Sequence, residues 1–250
     1  MKCKMILKIA ICIMFALTLI FLSGCLNLGL RTGGTTRGNG RMAGGVLSHD
    51  GVITNINVIG MPAILNLTSE RSSEISYTID ENLRSLLEIT HQNGVLTITT
   101  RNNASIIGNG ITFDIGTDML EGIIISGATT IDGRGTFNAD TFTLDISGAG
   151  GVDLDLNVQS MSVSVSGAAR LNLSGTADSL MINNDGAAII TARNMTVQDA
   201  IVELNGAGSI QVHAEKTLDA TVAGVGTITY WGDPVLTQST VGLASVRRGE

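Results

Sequence analysis

From about residue 120 to residue 231, apolar and small polar residues alternate in short runs, and each run is broken by a cluster of small residues. Phe142, Leu144 and Ile146 precede one such cluster, and Val152, Leu154 and Leu156 follow it. The plan recurs as Met161, Val163, Val165 then Leu171, Leu173, and again as Val202, Leu204 then Ile210, Val212. Successive side chains of a strand leave opposite faces, so a period of two predicts strands throughout this region. The intervening positions hold residues such as Asp145, Asp153, Asp155, Asn172, Glu203 and Asp219. One face is therefore expected to pack and the other to meet water.

The interruptions repeat as well. ISGATTI (Ile125 to Ile131), ISGAGGV (Ile146 to Val152), VSGAARL (Val165 to Leu171), LNGAGSI (Leu204 to Ile210) and VAGVGTI (Val222 to Ile228) share one plan, and NNDGAAII (Asn183 to Ile190) is a weaker copy. Their glycines, Gly127, Gly148, Gly167, Gly186, Gly206 and Gly224, step by 21, 19, 19, 20 and 18 residues. A period near 20 sustained over six copies is a repeat signature. Short strands at this spacing suit either a meandering antiparallel sandwich or a solenoid, and the regularity favours the solenoid. The prediction is an all-β fold, a parallel right-handed β-helix of coils about 20 residues long. Equivalent strands would lie about 4.8 Å apart, so equivalent corners stack too. Glycine at each corner is expected to supply positive φ, and its small neighbours to let adjacent corners approach.

A lone coil buries about five aliphatic side chains at roughly 1.5 to 3 kcal/mol each, against roughly 1 to 2 kcal/mol for every residue it orders. Only stacked coils are stable, and a bare parallel edge invites association. Residues 46–110, with alternating runs such as Ile75 to Ile79 and Leu96 to Thr99, are expected to cap one end. Residues 111–250 would hold the repeats, with Tyr230, Trp231 and a closing strand from Val235 to Val246 at the other end.

Composition narrows the class. The 250 residues include 31 glycines and 2 prolines, with 44% hydrophobic, 3% aromatic and 15% charged residues. That balance is too apolar for disorder and too poor in proline for collagen.

The first 24 residues read differently. Lys2, Lys4 and Lys8 precede a 14-residue apolar run, Ile9 to Leu22, broken only by Thr18. The run is shorter than the roughly 20 residues that span a bilayer, and it predicts a secretory signal. Leu22-Ser23-Gly24-Cys25 resembles the bacterial lipobox, which implies cleavage before Cys25 and lipid attachment to it. The partner implied is a membrane, with localisation to the cell envelope, at the outer membrane or cell surface. Cys3 and Cys12 lie within the signal, so the mature chain has no cysteine left for a disulfide or thiol catalysis. It would carry 12 basic against 22 acidic residues, a balance that repels nucleic acid. Residues 25–45, rich in glycine and free of acids, read as a tether reaching about 25 Å. Its Arg31, Arg37 and Arg41 either graze anionic lipid or sit in solvent.

Candidate chemistry is sparse. Asp145, Asp153 and Asp155 are the one acidic group to weigh as an acid/base pair or calcium site, and a lyase would also need Arg170 beside the ion. Outward acids on a solvated strand are the simpler reading. His49, His91 and His213 are scattered without metal-ligand spacing. Ser126, Ser147 and Ser166 recur at corners, and repetition signals turn hydrogen bonding instead of a nucleophile. Gly148 to Gly151 lacks the following helix and lysine of a phosphate cradle. Tyr230 and Trp231 read as packing under the last coil in preference to a sugar platform. No catalytic residue, metal or cofactor is expected.

The Ser-Gly-Ala and Asn-Gly-Ala corners, the run Asn93-Gly94-Val95-Leu96-Thr97-Ile98 and the ending Gly226 to Pro234 together resemble the bacterial envelope family described as putative auto-transporter adhesin, head GIN domain. The resemblance covers roughly Val46 to Arg247. It implies a β-helix-like fold on an exported or lipid-anchored protein and a non-enzymatic, adhesive role toward an envelope or extracellular protein or polysaccharide. A structural or sensing module and, less favoured, a carbohydrate-active enzyme are the alternatives. Asp185 departs from the pattern by replacing the small residue before Gly186.

Overall fold

The structure is a computed structural model that describes residues 34–108 and 110–250. The expected signal and the lipobox-like residues Leu22, Ser23, Gly24 and Cys25 lie outside the described residues. The repeat region forms a β-solenoid of about seven turns with coils of roughly 19 residues. Five successive coils, Ala128–Ile146, Ala149–Val165, Ala168–Asn184, Ala187–Leu204 and Ala207–Val222, pair in parallel, each with the next. Inward positions such as Leu144, Val163, Ile182, Val202 and Ala220 stack into one core and are buried, as the alternation predicts. Phe137 and Phe142, also buried, fill the first of these coils.

The six corner glycines stack as expected, but for a different reason. None of them lies in the left-handed region of φ. A Cβ at Gly148 would overlap the carbonyl oxygen of Gly127, and one at Gly167 would overlap that of Gly148. The clash recurs up the column from Gly186 to Gly224. Flanking amides bind the coil below, as in Ser166 N to Ile146 O at 2.9 Å and Ala168 N to Gly148 O at 2.9 Å. The corner is thus a hydrogen-bonded contact between rungs with no room for a side chain, and the expectation of positive φ is corrected.

At the fourth corner the departure is absorbed. Gly186 stacks between Gly167 and Gly206, and Asp185 accepts a hydrogen bond from Asn205 Nδ2 at 3.0 Å. Asn184 takes an inward, fully buried position, where its Oδ1 accepts from Gly186 N at 3.1 Å. A buried amide is tolerated when the backbone satisfies it.

The boundary near residue 110 is also corrected. Asn55–Val58 lies in parallel between Gly122–Ile125 and Val95–Thr100, and Pro62–Thr68 lies between Ala128–Arg134 and Thr112–Gly116. Residues 55–68 are therefore a rung of the column, inserted out of sequence order. Its corner was illegible because Met61 stands where glycine is expected, in register with Gly127. Beyond it the chain leaves through Arg101–Asn103 and returns at Ile111, so no corner presses on Met61, whose side chain is buried.

The cap itself is antiparallel. Leu87–Gln92 and Val95–Thr100 form a hairpin, turning at Asn93 and Gly94 with φ of 52° and 81°. Glu74–Asp80 pairs with Thr112–Gly116 on one side and Met42–Ser48 on the other. The glycine-rich stretch expected as a tether is thus structured from Thr36 onward, with Thr36–Arg37 paired to Ile106–Ile107. Its glycines make space instead of slack: a Cβ at Gly45 would strike the Tyr77 ring, and one at Gly38 the Asp80 carboxylate. Arg41 stands 3.8 Å from Glu81.

Candidate functional site

Stacking converts a repeated position into a ladder of side chains along the column. Two such ladders border a groove of about 590 Å³. The first comprises Asn138, Asn157, Thr176 and Thr196, in register on successive coils. Asn157 Nδ2 donates to Asn138 Oδ1 at 3.0 Å, and Thr176 Oγ1 donates to Asn157 Oδ1 at 2.5 Å. The second comprises Asp140, Gln159, Asp178 and Gln198, with Gln159 Nε2 donating to Asp140 Oδ1 at 3.0 Å. Small, mostly buried residues separate the ladders: Ala139, Val158 and Ala177. Met119 and Glu121 close one end, and no lysine or arginine lines the groove.

A second, shallower concavity of about 670 Å³ follows another edge of the column, over the alanine corners Ala149, Ala168, Ala187 and their neighbours. Thr130, Arg170 and Ile189 border it. The Oγ1 of Thr129 is buried there without a hydrogen-bond partner.

The outward aspartates do not converge. Asp145 registers with Ile124 and Ser164, whereas Asp153 registers with Asp132 and Asn172, and Asp155 with Thr136 and Ser174. Asp145 thus lies on a different segment of the coil from the other two. Asp153 accepts from Asn172 Nδ2 at 3.3 Å and Asp155 from Ser174 Oγ at 2.8 Å, so both are rungs of polar ladders. Among the described residues no group of three His, Cys, Asp or Glu side chains could hold a metal ion. Ser147 Oγ lies 3.5 Å from the Ile125 carbonyl, the turn-to-turn contact expected of it. Trp231 packs under the guanidinium of Arg193, 4.4 Å from the ring centroid, and donates from Nε1 to the Glu250 carbonyl at 3.3 Å. A Cβ at Gly249 would strike the same ring, so the indole is packed and offers no open sugar platform.

Two histidines that the sequence leaves 42 positions apart do meet. The rings of His49 and His91 stack edge to face with centroids 4.8 Å apart, while His213 lies on the column beside Glu215 at 2.9 Å. Neither ring nitrogen of His49 makes a hydrogen bond of ordinary geometry, whereas its backbone N–H donates to the Ser73 carbonyl at 2.9 Å. Desolvation, reinforced by the neighbouring His91, lowers the pKa of His49 below the usual 6.5. Nothing in the sequence pattern could have signalled this pair, because it forms between the residue after Met42–Ser48 and the strand Leu87–Gln92, which are distant in the chain.

Residues 56–234 match the family described as putative auto-transporter adhesin, head GIN domain. The chain belongs to this family. A comparison with curated proteins returns no match. Among solved structures, a putative adhesin from Bacteroides fragilis superposes with a TM-score of 0.75 at 20% identity, covering 86% of this chain and 100% of that one. A putative lipid binding protein from Parabacteroides distasonis gives 0.68 at 21% identity, covering 87% and 100%. A putative adhesin from Parabacteroides merdae gives 0.59 at 22% identity, covering 86% and 99%. At these identities the likeness shows a shared fold. The head GIN domain family and these neighbours are described as adhesins or as lipid binding, not as enzymes.

Proposed function

We propose that this head GIN domain protein is a non-enzymatic, lipid-anchored adhesin of the bacterial cell envelope, displaying its β-solenoid as a rigid binding surface. The observation that carries the reading is the family match over most of the solenoid, residues 56–234. Hydrogen-bonded ladders on the outer faces support it, because a surface whose side chains are already ordered loses little entropy when a partner binds. Anchoring rests on the lipobox-like Leu22-Ser23-Gly24-Cys25.

Protease treatment of intact cells tests display: release of the domain from Thr35 onward is expected, and full protection of the domain would leave an internal structural or sensing role. Cys25→Ser should move the protein from the membrane fraction to the soluble one, and unchanged retention would remove the anchor assignment. Incubation with a polysaccharide panel, with and without calcium, should generate no reducing ends or unsaturated products. Cleavage that disappears in Asp153→Asn would make the protein a carbohydrate-active enzyme.

A lipid-binding role, favoured by the description of one structural neighbour, would use the alanine-lined concavity. Vesicle flotation of the domain from Thr35 onward separates this reading from the first.

A further inference from the structure

We infer that the groove between the Asn138–Thr196 and Asp140–Gln198 ladders is a binding site for a linear, uncharged polysaccharide. This rests on the adhesin reading and names the class of ligand and the surface that takes it.

Three features of the groove point to that class. Its polar groups recur once per rung, about 4.8 Å apart. That interval is close to the advance of one sugar ring along an extended glycan, so each rung can address one ring. From Glu121 to Gln198 the groove spans four such intervals, on the order of 20 Å.

The polar groups are amides, hydroxyls and carboxylates, the set that donates to and accepts from sugar hydroxyls. Five of them are already tied to one another, by bonds from Asn157 to Asn138, Thr176 to Asn157 and Gln159 to Asp140. Each amide and carboxylate keeps further bonding capacity beyond its ladder bonds. Ordering before binding lowers the entropic cost of capture.

Charge and backbone exclude acidic polymers and a peptide added as a strand. Glu121, Asp140 and Asp178 face the groove with no lysine or arginine to balance them, which repels uronic acids and nucleic acids. A peptide adding itself as a strand needs a free sheet edge. Asn157 and Gln159 lie on a strand paired with a coil on both sides, so this groove offers side chains and no free edge. Its walls are polar along their length, unlike an acyl-chain channel.

The experiment is calorimetric titration of the domain from Thr35 onward, which carries the whole described fold, with neutral hexasaccharides of the cello, xylo, manno and N-acetylchito series and with hexagalacturonate. At least one neutral oligomer is expected to bind, with affinity rising with length until the groove is filled, and hexagalacturonate at least tenfold more weakly. Gln159→Ala and Asn157→Ala should each reduce the affinity about tenfold, the value of one lost hydrogen bond to a bound partner. Both side chains face solvent, so thermal denaturation of the variants should match the parent. Asp153→Asn, on another segment of the coil, should leave the affinity unchanged.

The inference falls if no neutral oligomer binds at millimolar concentration, if hexagalacturonate binds as well as the neutral oligomers, or if the two groove variants bind like the parent. Adhesion of cells that carry the protein separates the two readings. Adhesion retained in both groove variants overturns the groove and leaves the adhesin reading standing, whereas full protection of the domain from surface protease overturns the adhesin reading itself.

Discussion

The two ends of the column solve the same problem in opposite ways. A stack of parallel rungs leaves a row of unpaired backbone groups and a slice of open core at each end. At the N-terminal end the chain turns antiparallel. The hairpin Leu87–Gln92/Val95–Thr100, the sheet Met42–Ser48/Glu74–Asp80 and the short 3-10 helix Glu81–Leu86 close over Ile75, Ile79 and Leu83, all fully buried. At the C-terminal end the parallel pattern continues through Val235–Thr240 and Leu243–Arg248. Among the described residues no strand pairs with their outer edges. Val235 is 75% exposed and Leu243 80%. Leu236, Ala244 and Val246, partly buried, pack against the core there, and Trp231 lies between Arg193 and the Gly249 segment. Stability should therefore fall along the column from the capped end to the open one.

The largest expected effect lies in the middle, where each corner has a rung on both sides. Gly167→Val would drive a side chain into the Gly148 carbonyl and should cost about 3 kcal/mol or more, read as a lowered denaturation midpoint. The same change at Gly224, where the outer rung can fray, should cost roughly 1 kcal/mol. Equal losses at the two sites would show that the last coils are as firmly held as the centre.

Truncating core side chains sharpens the contrast. Leu83→Ala in the cap should destabilise by about 2 to 5 kcal/mol, whereas Leu243→Ala at the open end should stay within about 0.5 kcal/mol. Urea denaturation measures both. A charge on the open edge, Leu243→Lys, should leave the midpoint unchanged and reduce concentration-dependent light scattering, since charged edges discourage strand pairing.

Acid should act on the capped end through His49. The pKa of His49 is lowered in the folded chain, so below about 6.5 the unfolded chain binds the proton more readily. The stability held by neutral His49 is complete above that pH and is lost as the pH falls through it toward the lowered folded value. Hydrogen-exchange protection factors, which remove the intrinsic pH dependence of amide exchange, should fall in residues 42–48 and 87–92 between pH 7.5 and 5.5, with no such fall in 235–248. His49→Phe should abolish the difference, and a pH response that persists in this variant would assign it to another group.

The repeat was legible because the same demands recur at every rung. A strand that packs one face must alternate, so Phe142, Leu144 and Ile146 announce themselves without neighbours, and a corner that admits no Cβ must be glycine each time. The residues that border the groove carried no such mark. Asn157 and Gln159 read as ordinary outward polar residues, because what makes them a site is their stacking on Asn138 and Asp140, 19 positions earlier. The rung at residues 55–68 was hidden for the same kind of reason: Met61 can replace glycine only where no corner stacks on its far side.

The sequence by itself determined that this chain folds into stacked β-coils with glycine corners, since every strand must alternate and every central corner must admit the same neighbouring carbonyl. The tertiary structure decided where the column begins, that part of the glycine-rich stretch is strand instead of tether, and which outward residues form ladders. Those outcomes depend on register between segments distant in the chain, and register is set only when the pieces are packed together.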